Sequence, residues 1–368
     1  MVLQVSAFHG LYLAPEGLQM RFDKADEEMK QGLNEEMFTG AVLLVTTGKN
    51  ILFHETYGTL GGMGTEPVKH ETLFDLASLT KVLAVTPSWI LMAGEDPGIL
   101  DQSICRWFSN TPVDKRCITP RHLLAHASGL PAWRPYYLLP ASRHTSEDTA
   151  ARILEEPPEY SPDRGSVYSD LGFILLGFII EKETGRDLEQ FTREMIYEPL
   201  GLTEDLLFTP QAGKRTAMTR VGELSGLVND LNARALGGVA GHAGLFGTGR
   251  GVAALAGEML LSLKESGRFF NSDVTRTFCT RAGFTTDSTR ALGFDTPSEK
   301  GSTSGRLFSK DSVGHTGFTG VSLWIDIPRE LIVVLLTNRV FMGEADFRIK
   351  EFRPMIHDAV MESVLSQE

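Results

Sequence analysis

Ser78 and Lys81 stand three residues apart, where an apolar stretch (Phe74, Leu76, Ala77) gives way to one with helical spacing (Val82, Leu83, Val85). A serine at a helix start lies beside unpaired backbone N–H groups at the positive end of the dipole, and an amine three residues on shares its face. Such a pair can attack an acyl carbon. Neutral, the amine takes the hydroxyl proton; charged, it steadies the alkoxide. The same two residues also fit a plain N-cap followed by a solvated lysine.

A second string, Tyr168-Ser169-Asp170, lies between a loop holding Pro162 and Gly165 and the apolar run 171–180, which predicts a buried helix. A phenol at that boundary can point into a cleft, where a neighbouring ammonium stabilises the phenolate and makes it a usable base near neutrality. Simple packing at a helix start is the plainer alternative. A third string, His315-Thr316-Gly317, precedes Phe318 and a stretch in which Val321, Leu323 and Ile325 alternate with Ser322, Trp324 and Asp326, as in a half-buried strand. Glycine there admits close backbone approach, so His315 to Phe318 are expected along one wall of a site. The Phe318 N–H would join that of Ser78 in holding an oxyanion.

Taken in order, the three strings resemble the S-x-x-K, Y-x-N or Y-x-S, and K-T-G or H-T-G motifs of the serine β-lactamase and penicillin-binding-protein superfamily, in its class C branch. The resemblance extends to Arg121-His122-Leu123-Leu124-Ala125-His126-Ala127-Ser128-Gly129-Leu130-Pro131 and to the glycine-rich Gly238-Val239-Ala240-Gly241-His242-Ala243-Gly244-Leu245-Phe246, and runs from about residue 18 to 365. It implies Ser78 as acylated nucleophile, Lys81 and Tyr168 as the proton-transfer pair, and His315 to Gly317 as the strand wall. It also implies hydrolysis through an acyl-enzyme with no metal or organic cofactor, on a small ester, amide or D-amino-acid peptide. A class C-like β-lactamase is an alternative, as is a catalytically weak relative that binds peptidoglycan fragments.

Two positions depart from the branch's commonest pattern. His315 stands where class C β-lactamases carry lysine, which favours the D-peptidase and esterase members. Asp170 stands where many members have asparagine, and an ionised carboxylate cannot donate a hydrogen bond. Asp170 is expected to pair with Lys81, hold it charged, and shift the base role toward Tyr168. It would also repel the carbonyl of an acylamino group, favouring a simple ester or a substrate with an ammonium there.

With 368 residues, 42% hydrophobic and 22% charged, the chain can bury a large core. The net charge of -12, with no lysine and arginine cluster, argues against nucleic acid and anionic membranes as partners. The oligomeric state is not read from the sequence. Cys105, Cys117 and Cys279 form no C-x-x-C spacing and are expected as buried thiols. Residues 1–21 lack a secretory signal pattern, so a cytoplasmic location is the expectation.

Residues 18–36 read as a helix carrying Phe22, Met29 and Leu33, followed by strands 40–47 and 51–57 around Gly48-Lys49-Asn50. A second hairpin, 318–327 with 330–337, precedes a helix 346–365 with Ile349, Phe352, Ile356 and Val360 in step. Between them helices are expected at 79–93, 119–126, 147–155, 170–184, 187–197 and 250–264, with Asp187 and Gln190 as a capping-box variant and Pro199 as a stop. The predicted class is α/β (α+β): an antiparallel sheet built from both termini (1–66 and 286–368), flanked by helices, with a helical insertion (67–285) and the site in the crevice between.

Smaller signals need weighing. His122 and His126 share a helical face but lack the glutamate and third ligand of a metal site, so no metal is assigned. His242, among glycines, fits a site rim or a buried structural role, with Asp230 and Asn232 able to bond it or the loop. Trp133, Tyr136 and Tyr137 fit a pocket mouth or half-buried anchors. Residues 295–312 read as a mobile loop able to gate the cleft. Gly247-Thr248-Gly249-Arg250-Gly251 suggests nucleotide binding, but the helical pattern through 258–267 leaves no second strand.

Overall fold

A computed structural model describes residues 11–13, 20–48, 50–61, 66–211, 215–264 and 268–367. Lys49 of the expected turn and residues 18 and 19 of the expected first helix lie outside them. The main sheet has six strands, β1 (Tyr12–Leu13), β2 (Gly40–Thr47), β3 (Asn50–Gly58), β7 (Val313–Thr316), β8 (Ser322–Asp326) and β9 (Leu331–Thr337), in the order β1-β3-β2-β9-β8-β7. All pairs are antiparallel except β1 with β3, so the expectation of a wholly antiparallel sheet is corrected at this edge.

The centre of the sheet joins the two ends of the chain, Ala41 lying opposite Thr337 and Val45 opposite Val333. Both faces of this pair are covered, which is why β2 and β9 are apolar runs rather than alternating ones. Ala41, Leu43, Val45, Leu331, Val333 and Leu335 share one core with Met29 of the Asp23–Asn34 helix and with Phe352, Ile356 and Val360 of the Ile349–Leu365 helix. On the other face Val42, Leu44, Ile332 and Val334 share a second core with Val252, Leu255 and Met259 of the Gly249–Lys264 helix. This helix covers the sheet although it lies within 67–285, which we propose as the inserted domain.

The insertion is built around the Asp170–Thr184 helix, buried from Leu171 to Ile180 on every side. Asp187 caps the next helix by accepting the Gln190 N–H at 2.7 Å, but the Gln190 side chain donates to Glu194, so only half of the expected capping box forms. Pro199 sits in the last turn, which ends at Leu200. A second sheet, absent from the sequence reading, joins β4 (Phe74–Asp75), β5 (Leu206–Phe208) and β6 (Leu245–Gly247) in the order β4-β6-β5. It carries the chain directly into Ser78. After β6, Thr248 hydroxyl donates to Asp205 and the chain continues as one helix to Lys264, as the failed nucleotide motif required.

The loop 295–312 is not a free gate. Thr303 O accepts from His357 Nδ1 at 2.8 Å, Ser309 N donates to Asp326 at 3.0 Å, and Arg306 is bonded to Asp358 through both its N–H and its guanidinium. The three cysteines are free thiols, but the expectation that they are buried is corrected: Cys105 and Cys279 are half-buried and Cys117 is exposed. Among the described residues no helix is long and apolar enough to cross a membrane.

Candidate active site

The chain turns sharply between β4 and the helix that follows. Ala77 takes a left-handed φ of 46°, unusual for a residue with a side chain, and its N–H is held by Asp75 Oδ1 at 2.8 Å. Ser78 is thereby lifted to the helix start, and the first full turn, Lys81–Val85, is π-helical. Lys81 is wholly buried, and its ammonium donates to Ser78 Oγ at 2.9 Å, Asp170 Oδ1 at 2.8 Å and the His242 carbonyl at 3.0 Å. Three acceptors around one nitrogen match the three protons of an ammonium. Burial disfavours that charge, but Asp170 and Tyr168 outweigh it, so the Lys81 pKa lies above its ordinary value. Sequence reasoning anticipated the Asp170–Lys81 pair.

Tyr168 joins the group. Its ring lies 5.0 Å from the Lys81 nitrogen, and its phenol interacts with the side chains of both Ser78 and Lys81. Burial pushes the phenol above its ordinary value of 10.0; the Lys81 ammonium pulls back, and the Asp170 carboxylate pushes up again. The net shift is upward. The expectation of a phenolate near neutrality is therefore corrected: at rest the phenol keeps its proton, because burial and Asp170 together exceed the pull of the ammonium.

The third string forms the opposite wall as β7 and the turn after it. A β-carbon on Gly317 would stand 2.8 Å from the Leu76 carbonyl and 2.5 Å from Val321 Cγ2, so only glycine lets this wall approach the segment that leads into Ser78. Thr319 hydroxyl ties the turn to the Asp75 carbonyl at 2.7 Å. The backbone N–H groups of Ser78 and Phe318 donate to no acceptor among the described residues. His315 is buried; its Nδ1 donates to Thr316 O at 2.8 Å, which leaves Nε2 as an acceptor with no partner among the described residues. Burial and the nearby Lys81 and Arg290 charges hold its pKa well below 6.5, so the imidazole is neutral.

His242 takes a buried place in the site rather than on its rim. Gly241 packs so tightly on the Phe173 carbonyl that a β-carbon could not be placed there, and this seats the next carbonyl on Lys81. The His242 ring bonds Asp230 through Nε2 at 2.9 Å. Burial works to raise the Asp230 pKa, but His242 and the Ala233 N–H hold it well below the usual carboxylate range. Asn232 clamps the aromatic loop instead, accepting from Tyr137 N at 3.0 Å and donating to Arg134 O at 2.8 Å. Trp133 and Tyr137 line the cleft, while Tyr136 is an anchor bonded to Glu156 at 3.2 Å. The cleft holds about 720 Å³ and is lined by Ser78, Tyr168, Asp170, His242 and His315 to Phe318 together.

Several residues of the site were missed. His126 accepts the Ser169 N–H at 3.0 Å and stacks 4.6 Å from the Tyr168 ring, while His122 pairs with Asp163 at 2.8 Å; the two histidines serve different neighbours. The Arg290 guanidinium lies 5.4 Å from the centre of the same Tyr168 ring and pairs with Asp295 at 3.5 Å. Asp75 accepts from Asn229 N at 2.6 Å as well as from Ala77, and burial pushes its pKa up to about 6. Its position three residues before Ser78 was the one available signal.

The family model described as Beta-lactamase matches residues 25–353. The chain is 31% identical over 346 residues to the Escherichia coli (strain K12) protein named "Putative D-alanyl-D-alanine carboxypeptidase", covering 83% of this chain and 79% of that one. It is 33% identical over 351 residues to the "N-acetylmuramyl-L-alanine amidase" of Bacillus subtilis (strain 168), covering 82% and 77%. Among solved structures, EstCE1, a hydrolase with promiscuous acyltransferase activity, has the same fold, with a TM-score of 0.74 at 22% identity over 92% of this chain and 97% of that one.

Proposed function

We propose a reaction from one premise: the chain belongs to the Beta-lactamase family, within the serine β-lactamase and penicillin-binding-protein superfamily, and is a serine hydrolase. The reading is hydrolysis of a small ester or D-amino-acid peptide or amide through an acyl-enzyme on Ser78. One observation carries it. The Lys81 ammonium is shared among Ser78, Asp170 and the His242 carbonyl, with the Tyr168 phenol beside the same hydroxyl.

In this reading Lys81 stays charged throughout. Tyr168 acts after losing its proton to solvent, and the adjacent ammonium stabilises the phenolate. Ser78 Oγ attacks the acyl carbon as its proton passes to Tyr168 Oη, and the oxyanion lies between the N–H groups of Ser78 and Phe318. The C–N or C–O bond then breaks, the leaving group takes the proton back from Tyr168, and the acyl group remains on Ser78. Water attacks this ester by the same route, giving a proton to Tyr168, which passes it to Ser78 Oγ as that oxygen leaves; the acid and the free serine are released and the phenolate is restored. His315, kept neutral, adds no charge to the strand wall.

The test is a hydrolysis panel of short-chain p-nitrophenyl esters, a chromogenic cephalosporin and D-alanyl peptides on wild type and Ser78→Ala, with a fluorophosphonate probe in parallel. Turnover and labelling that both vanish in the variant support the reading. Turnover that survives Ser78→Ala, or a probe that never labels Ser78, overturns it.

A further inference from the structure

The helical wall of the cleft carries two carboxylates whose outer oxygens are unused. Asp170 spends Oδ1 on Lys81, and Asp230 spends Oδ1 on the Ala233 N–H and His242; the Oδ2 of each accepts nothing among the described residues. Both side chains open to the cleft, at 19% and 27% exposure, and both line it beside Trp133 and Tyr137. The two rings stand 6.4 Å apart, with Trp133 42% exposed.

Hydrogen bonds tie the segments that carry these four side chains together. Asp170 N donates to Ala132 O at 2.8 Å and Ser169 Oγ to Pro131 O at 2.7 Å, which locks the segment before Trp133 to the start of the Asp170–Thr184 helix. Asn232 fixes the far end of the aromatic loop and sits two positions from Asp230. Carboxylates beside exposed aromatic faces make a receptor for a cation, since both attract it and a partly desolvated site strengthens the attraction.

The cleft's arginines are engaged elsewhere. Arg220 bonds Asn229 and Glu344, Arg339 bonds the carbonyls of Phe318, Glu344 and Asp346, Arg353 bonds those of Gly317 and Gly320, and Arg290, which lies over the Tyr168 ring, pairs with Asp295. Lys81 faces Asp170 and His242 faces Asp230, each on the inner oxygen.

We propose that this wall is an ammonium receptor, and that the preferred acyl donor is an α-aminoacyl compound with a free amino group. The proposal rests on the serine hydrolase reading and names its substrate class. Two hydrogen bonds, through Lys81 Nζ, separate the Asp170 carboxylate from Ser78 Oγ. In an α-aminoacyl group the nitrogen is two bonds from the carbon under attack, so an ammonium there meets Asp170 Oδ2 while the carbonyl meets Ser78. An N-acylated donor instead brings a carbonyl oxygen against a carboxylate that has no proton to give. A charge-assisted hydrogen bond gained on one side and an unpaired acceptor on the other correspond to roughly 10- to 100-fold discrimination.

The experiment compares kcat/KM for the methyl thioesters of D-alanine and N-acetyl-D-alanine on wild type, Asp170→Asn and Trp133→Ala, with fluorophosphonate labelling of Ser78 alongside. The proposal expects wild type to favour the free amine roughly 10- to 100-fold, and Asp170→Asn to bring the ratio to about one or invert it. Trp133→Ala, at an exposed side chain, should lower the free-amine rate about threefold or more, and by a larger factor than it lowers the N-acetyl rate. A wild type that prefers the N-acetyl donor, or a ratio unmoved by both variants, overturns the proposal. Turnover of neither thioester with Ser78 still labelled overturns the substrate class alone, whereas no labelling overturns the hydrolase reading beneath it.

Discussion

On the helical wall the charged and titrating groups hold one another: Lys81, Asp170 and Tyr168 are joined by side-chain contacts, and the His242 carbonyl on Lys81 links them to Asp230, which bonds the His242 ring. On the sheet wall the strand segment that faces Ser78 carries no charge of its own. His315 is neutral, Gly317 has no side chain, and Phe318 presents a backbone N–H with no acceptor among the described residues. One wall sets protonation; the other sets distance. A site divided this way should lose rate by two separable routes, through charge on the first wall and through position on the second.

The comparison is broken most severely at Lys81. Lys81→Met removes the charge that three acceptors surround, and kcat/KM on p-nitrophenyl acetate should fall about 1,000-fold or more. Tyr168→Phe should cost a similar factor, and a double variant little more than either alone if the two act as a unit. A loss under tenfold for both would move the chemistry away from this wall.

On the sheet wall Gly317→Ala must push the strand off Leu76 or Val321. The Phe318 N–H moves with it, so kcat should fall about 100-fold, as for loss of one oxyanion donor. The pH slope of the activity should stay as in wild type, since no titrating group is touched; a changed slope would show that the walls are not independent.

The protonation wall can also be read through pH. The Tyr168 pKa is raised, so the phenolate is the minor form at neutrality and its share grows as pH rises toward that pKa. For a substrate with no amino group, kcat/KM should therefore climb through the neutral and alkaline range, by roughly tenfold per pH unit at most. A flat profile from pH 7 to 9 would mean that the base is already free of its proton at rest.

Asp75 sharpens the comparison because it touches both walls. Asp75→Asn replaces one acceptor oxygen by an amide that can only donate, facing a backbone N–H of Ala77 or Asn229. Stopped-flow or steady-state assays should give a kcat lower by about tenfold with KM nearly unchanged. The sign of its titration is also fixed. A carboxyl whose pKa is raised on folding, here to about 6, is protonated in the native state but not in the unfolded chain between the ordinary 3.8 and that value. Its contribution to stability is therefore complete below the lower value and lost as pH rises through about 6, and Asp75→Asn should abolish that slope in denaturant titrations.

What could be read from the sequence followed from range and length. Residues 40–47 and 331–337 carry enough consecutive apolar residues to declare strands, and the three strings carry their chemistry in adjacent residues, so the central sheet pair and Ser78, Lys81 and Tyr168 were within reach. The small sheet was not, because strands of two and three residues such as Phe74–Asp75 and Leu245–Gly247 show no period. Arg290 and His126 owe their places to contacts with Tyr168 that no local pattern encodes. The loop taken for a gate is pinned by Asp358, a partner 52 positions away.

The central seam of the sheet has a consequence for how the protein is made. Thr39 reaches its hydrogen-bond partner Asn338 across 299 positions, and β2 has β9 as its inner neighbour. Contacts of such separation form late and slowly. On the ribosome Ser78 emerges long before the edge that must face it, and the bare flank of β2 waits unzipped through most of translation. Catalytic competence thus arrives with the final strands, and until then the nascent chain offers a sticky half-sheet that folding helpers would need to shield.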